Sequence, residues 1–245
     1  MTFRKLKRIF LILFALSLLS SSFIFFKNTN EDKRFITHIV DVNDKEIKFY
    51  WKDENNSNFS SIENLKNWLE KENQTLIFAT NGGMYKRDHT PQGLYIENFE
   101  MKAKLDTSPG KGNFYLQPNG VFYIAKNNQA TICTTEDFLF HKNIQWATQS
   151  GPMLVIDNKI HPAFKEGSKN LNIRNGVGIL ANGNLVFVMS KKEINFYDFA
   201  TYFKTLGCKN ALYLDGFVSR TYLPEKNWIQ IDGNFGVIIG ITKNK

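Results

Sequence analysis

Three hydrophobic patterns divide this chain. The first is an unbroken uncharged run of eighteen residues from Ile9 to Phe26, preceded by Arg4, Lys5, Lys7 and Arg8. That length is just enough to span a bilayer as a helix. The basic flank predicts a cytoplasmic N-terminus with the remainder exported. A cleaved signal peptide is the rival reading. No small-x-small cleavage site follows the apolar core, Ser20-Ser21-Ser22 runs on into more Phe, and no cysteine follows there to carry a lipid. The expectation is an uncleaved signal-anchor over residues 1–27, meeting the membrane through residues 9–26, then a polar tether over 28–34. Cleavage and secretion stay open as the alternative; either way the domain is periplasmic or extracellular.

The second pattern begins at Phe35. Short runs with the two-residue period of strands alternate with Asn, Asp and Gly turns. Ile36–Val42 and Glu46–Trp51 lie around Asn43-Asp44, and Gly120–Ala125 and Ala130–Cys133 around Asn127-Asn128. Val177–Leu180 and Leu185–Met189 flank Asn182-Gly183, the strongest hairpin signal in the chain. The third pattern is helical and occurs twice. Ser60 followed by Glu63 reads as a capping box, with Ile62, Leu65, Trp68 and Leu69 on one face. Asn195 caps a second helix running to Leu206, with Phe196, Phe199, Ala200 and Phe203 inward and Gly207 as its stop. These elements predict an α+β fold: mostly antiparallel sheet with two or three packing helices, in a single domain over residues 35–245.

Charge changes the picture only once the first segment is set aside. The formal +8 includes Arg4, Lys5, Lys7, Arg8 and Lys27, so residues 28–245 carry +3. That is ordinary for a soluble domain and leaves no electrostatic footprint for nucleic acid. Cys133 and Cys208 are the only cysteines. In an exported protein they form a disulfide or stay as buried thiols, and the sequence leaves both open. His38, His89, His141 and His161 are far apart, so no metal-ligand motif is present and no cofactor is implied.

Candidate chemistry gathers at junctions where an apolar strand meets polar residues and glycine. Asn210–Leu214 delivers Asp215, then Gly216, then Ser219 and Arg220 within five residues. Upstream, strand Thr75–Phe78 leads to Asn81-Gly82-Gly83 and Tyr85, where paired glycines let backbone amides approach a ligand. Ser150-Gly151-Pro152 has no nearby base and no Gly-x-Ser-x-Gly pattern, so it reads as a loop that shapes a pocket rather than a nucleophile. Arg174 stands almost isolated among apolar neighbours before Gly176-x-Gly178, a setting suited to holding phosphate or carboxylate or to a structural ion pair. His161 reads as packing or surface, or as part of the lining of the site. Glu97, near a strand end, is a second carboxylate with a solvated hairpin position as its plainer account.

In order and spacing, Asn81-Gly82-Gly83-Met84-Tyr85, Gly151-Pro152, Arg174 before Gly178-Ile179, and Leu206 through Gly216 resemble the phosphodiester glycosidase family. The resemblance covers residues from about Leu76 to the C-terminus. It implies hydrolysis of the glycosidic bond of a sugar 1-phosphodiester, with a carbohydrate or sugar-phosphate as partner. On that reading Asp215 is the carboxylate, Arg174 and Arg220 hold the phosphate, and Asn81 and Ser219 orient the substrate. Gly82, Gly83, Tyr85, Ser150, Gly151, Gly216 and His161 line the pocket. One departure stands out: Phe217 and Val218 fill positions that are small in many members. This resembles an exported bacterial branch associated with exopolysaccharide, and bulky Phe217 is placed to narrow the pocket or stack on a sugar ring. The departure also keeps a non-catalytic glycan- or phosphosugar-binding protein as the alternative.

Overall fold

The alternating runs pair into three antiparallel sheets. The structure, a computed structural model, describes residues 32–245, so the anchor expected over residues 1–27 lies outside the described residues. Among the described residues no helix is long and apolar enough to cross a membrane. The compact unit spans Arg34–Lys245. Sheet one runs in the order β1 (Phe35–Val40), β12 (Leu185–Ser190), β11 (Asn175–Ile179), β13 (Asn210–Tyr213), β9 (Met153–Ile156), β10 (Lys159–Ile160). Sheet two is β15 (Trp228–Ile229), β14 (Thr221–Leu223), β3 (Gln74–Asn81), β16 (Ile238–Asn244), β2 (Ile47–Tyr50). Sheet three is β5 (Glu100–Ala103), β4 (Tyr95–Glu97), β8 (Ile144–Ser150), β6 (Gly120–Ala125), β7 (Ala130–Thr134).

The main core lies where the three sheets meet. Phe187 of sheet one packs on Phe78 of sheet two at 5.0 Å and on Phe122 of sheet three at 6.3 Å between ring centroids. Val40, Phe49, Tyr95, Leu212 and Ile239 belong to the same cluster, so each sheet turns one apolar face inward. The Asn43-Asp44 turn joins two sheets rather than closing a hairpin, since β1 pairs with β12 and β2 with β16. Asn182-Gly183 does close the β11–β12 hairpin, with Gly183 at φ +87°.

Two α-helices cover outer faces. Helix α1 (Ile62–Lys71) buries Ile62, Leu65 and Leu69 in a cluster with Leu76 of β3. Its cap is Ser61, not the Ser60 expected: Ser61 Oγ accepts the Asn64 N–H at 3.1 Å, while Ser60 sits at φ +60° before it. Glu63 therefore occupies the second helical position, and its N–H donates to the Ile231 carbonyl. Helix α2 (Phe196–Thr205) is capped as expected, by Asn195 Oδ1 on the Asp198 N–H at 2.8 Å. It packs Phe199, Ala200 and Phe203 with Leu154, Val186, Val188 and Ala211 of sheet one. Cys133 and Cys208 are free thiols, pushed by burial to about 11 and about 12.

Candidate active site

Sheet one hands the chain to sheet two between β13 and β14, and this crossing carries Asp215 through Arg220. Leu214 N–H donates to the Asn175 carbonyl, and Asp215 N–H donates to the Gly82 carbonyl just beyond β3. Asp215 thus leaves its strand at a rim fixed by main-chain bonds, and a single turn of 3-10 helix over Gly216–Val218 follows. The Asp215 residue is half-buried.

A buried amide network fastens this turn from below. Asn81 donates through Nδ2 to the Asp215 carbonyl at 2.6 Å, and its Oδ1 accepts the Arg220 N–H at 3.0 Å. Asn175 Nδ2 lies 3.1 Å from Thr80 Oγ1, from the Asn81 carbonyl and from Asn81 Oδ1. Ser219 Oγ lies 2.9 Å from the Gly216 carbonyl and 3.2 Å from Asn175 Oδ1. Asn81, Asn175 and Ser219 are all buried. Their polar groups are engaged within the fold, where Asn81 and Ser219 hold the turn. Asn175 and Thr80 were missed from the sequence. Asn175-Gly176 reads as a turn pair, yet Asn175 is the first residue of β11, with its side chain turned inward.

Arg174 departs furthest from expectation. It is fully buried, and its head group faces the interior. Nε donates to the Ile194 carbonyl at 2.8 Å, Nη2 to the Asn170 carbonyl at 2.9 Å, and Nη1 to the Tyr213 hydroxyl at 3.2 Å. Its Cζ lies 3.6 Å from the Phe196 ring centroid, a cation–π contact. Among the described residues no carboxylate pairs with it, and burial pulls its pKa below the usual arginine range against the pull of Tyr213. These contacts turn the guanidinium into a brace between β11, β13 and the segment before α2. Arg220 is the partly exposed cation of the pair; Asp232 grips it bidentately, with Nε and Nη2 each 2.8 Å from a carboxylate oxygen. That contact holds the Asp232 carboxyl below its ordinary range.

The remaining expected residues surround this turn. Gly82 N–H donates to the Val237 carbonyl, and a methyl group at Gly83 would overlap Thr148 and Gln149 of β8, so the glycine pair seats sheet two against sheet three. Tyr85, half-buried, donates to the Asn234 carbonyl, and burial together with the Asp215 charge raises its hydroxyl pKa. The Pro152 carbonyl accepts the Tyr213 N–H at 3.1 Å, which brings Ser150-Gly151-Pro152 beside β13. Ser150 is fully buried and its hydroxyl makes no hydrogen bond. His161 is buried too, stacked on Phe164, which stacks on Phe196. These rings connect it to Arg174 and Tyr213. Burial lowers the His161 pKa, the Gln117 backbone opposing. Glu97 stands apart on β4, accepting from the Tyr95 hydroxyl at 3.1 Å and raised by burial. The Phe217 side chain lies outside the described residues. Among the described residues no group of three or more His, Cys, Asp or Glu is placed to hold a metal ion.

An antiparallel α+β domain with a half-buried aspartate on a glycine turn, at the crossing from sheet one to sheet two, defines the class; residues 74–237 match the family model described as phosphodiester glycosidase. The chain belongs to that family. It is 37% identical to YigE of Escherichia coli K12 over 219 residues, covering 89% of this chain and 85% of YigE. Among solved structures it resembles the catalytic domain of zebrafish N-acetylglucosamine-1-phosphodiester alpha-N-acetylglucosaminidase, auto-inhibited by its pro-peptide. There the TM-score is 0.58 at 14% identity, over 88% of this chain and 85% of that one. A putative exported protein from Burkholderia pseudomallei gives a TM-score of 0.53 at 10% identity, over 84% and 73% of the two chains. At such identities these two likenesses concern the fold.

Proposed function

We propose that this chain is an exported hydrolase that cleaves the glycosidic bond of a sugar 1-phosphodiester or a related envelope or exopolysaccharide glycan. The bond that breaks joins the anomeric carbon to the phosphate-ester oxygen. Water supplies the new hydroxyl on the sugar, and the phosphate leaves as a monoester. Because that leaving group is far better than an alkoxide, one carboxylate suffices where glycosidases ordinarily use two. Asp215 fills this role: it takes the proton of the attacking water or faces the positive charge developing on the sugar ring. Arg220, part-exposed beside it in sequence, is the cation for the departing phosphate, reached by exchange with Asp232.

The observation that carries this reading is the buried amide network. It fixes the backbone on both sides of Asp215 while leaving the residue half-buried, the preorganisation that a positioned general base needs. Export is supported by the basic flank and apolar run of residues 4–26. The test is a screen of the full-length chain on synthetic sugar 1-phosphodiesters, with aryl glycosides of the same sugars as controls. Release of free sugar and phosphomonoester from the diesters, well above the aryl glycosides, is expected. Binding of the diesters without release would instead make the chain a phosphosugar-binding protein.

A further inference from the structure

Asp232, Gly233 and Asn234 form a short exposed strap between two anchored ends. At one end the Ile231 carbonyl accepts the Glu63 N–H. At the other, the Phe235 N–H donates to the Ser60 carbonyl, and the Phe235 ring is buried. Gly233 bends the strap at φ +138°, and a methyl group at Gly236 would overlap Tyr85 Cβ, so the chain leaves the strap lying directly on Tyr85. Both polar residues of the strap bind groups of the candidate site. Asp232 takes the Nε–Nη2 edge of Arg220, with 2.8 Å to each carboxylate oxygen, and the Asn234 carbonyl takes the Tyr85 hydroxyl. That edge of a guanidinium is the fork that grips two oxygens of a carboxylate or of a phosphate. The fork keeps its aim without Asp232, because Nη1 donates to the Ser219 carbonyl at 3.0 Å and the Arg220 N–H to Asn81 Oδ1 at 3.0 Å. Asp232 and Asn234 are two residues apart, about 7 Å of chain at most. The oxygens that fork and phenol hold therefore belong to a stretch about as long as one sugar phosphate.

We propose that this strap is a displaceable latch: Asp232 and Asn234 hold Arg220 and Tyr85 with oxygens that stand where those of a sugar phosphate bind, and an incoming phosphate takes the fork from Asp232 and frees the Tyr85 phenol for a ligand hydroxyl. This rests on Arg220 being the cation for the substrate phosphate. A phosphodiester presents two free oxygens sharing one negative charge, the same pattern as the carboxylate it replaces. The exchange costs little. The Arg220 and Asp232 side chains are 36% and 66% exposed, and an ion pair so open to water contributes little to holding the strap down. Because Asp232 and Asn234 flank a single glycine, release of the first loosens the second.

The test needs no turnover. Full-length chain labelled at arginine, tyrosine and glycine is titrated with inorganic phosphate and followed by nuclear magnetic resonance. The Arg220 Nε–H, the Tyr85 ring and the Gly233 amide should shift together along one saturation curve, because one event moves all three. In Asp232→Asn, matched in shape but without the charge, phosphate should bind about fivefold more tightly, the factor that a surface ion pair supplies once it no longer competes. Arg220→Gln should abolish all three responses. Equal phosphate affinity in wild type and a folded Asp232→Asn would overturn the latch. So would a wild-type titration in which Arg220 does not respond, or responds while Tyr85 and Gly233 stay still, and that titration decides alone if the variant fails to fold. The hydrolase reading is tested separately by the diester screen: a chain that cleaves diesters while its strap ignores phosphate keeps the activity and loses the latch, and a latch that responds in a chain without turnover counts against the hydrolase reading alone.

Discussion

Asn175 does more for the site than its place in the sequence suggests. Its amide meets Thr80 and Asn81 of sheet two through Nδ2, and Ser219 of the crossing through Oδ1. Removing it takes one partner at once from the buried Thr80, Asn81 and Ser219 groups, each of which keeps a second bond in the network. Asn175→Ala should lower stability by about 2–3 kcal/mol in urea unfolding. Asn175→Asp, equal in shape but without donors, should cost more, since an anion would face three acceptors. Asp215 and Gly216 were legible at this scale because a strand ending in Asp-Gly fixes a carboxylate at a rim. Arg174 was legible as a special position but not in direction. A lone Arg among apolar residues reads as a clamp for anions, and only packing shows its fork turned on carbonyls and a phenol.

At the scale of elements, the amphipathic helices and the Asn182-Gly183 hairpin were readable from period and turn chemistry. The α1 cap was misplaced by one residue because Ser60 and Ser61 are equivalent in sequence. Backbone conformation decides between them: Ser61 is extended at φ −134°, ψ 158°, as a cap requires, and Ser60 is left-handed. Ser61→Ala should therefore lose about 1 kcal/mol of stability in thermal or urea melts, with Ser60→Ala showing no comparable cap loss. Beyond the hairpins at Asn182-Gly183 and Asn127-Asn128, which strands pair was not legible. Runs adjacent in sequence, such as β1 and β2, belong to different sheets, β1 pairing with β12 and β2 with β16, and their apolar alternation fits either arrangement. The site stands on that topology, so its convergence had to come from the order of motifs along the chain.

For the molecule as a whole, acid should be the vulnerable side. Burial lowers both His38 and His161 below the ordinary histidine value. The unfolded chain then takes up protons first, so the stability they confer is present above about pH 6.5 and is lost as pH falls through that value. Glu97, raised by burial, works in the opposite direction at lower pH. The difference between wild type and His161→Gln removes the other groups from the comparison. Melting curves between pH 7.5 and pH 5 should show wild type losing stability on acidification and His161→Gln losing less. Equal pH slopes for the two would contradict the assignment.

The central claim is that Asp215 supplies the reacting carboxylate on a turn whose geometry other residues maintain. Asp215→Asn isolates it, because the main-chain bonds of Asp215 to Gly82 and from Asn81 survive the substitution. The amide matches the carboxylate in shape but cannot take a proton. The decisive measurement is single-turnover cleavage of a sugar 1-phosphodiester by Asp215→Asn, beside calorimetric binding of the same ligand. The account predicts wild-type melting and near-wild-type affinity with cleavage slowed by about 10²–10⁴-fold. Cleavage at close to the wild-type rate in a folded, ligand-binding Asp215→Asn protein would contradict it.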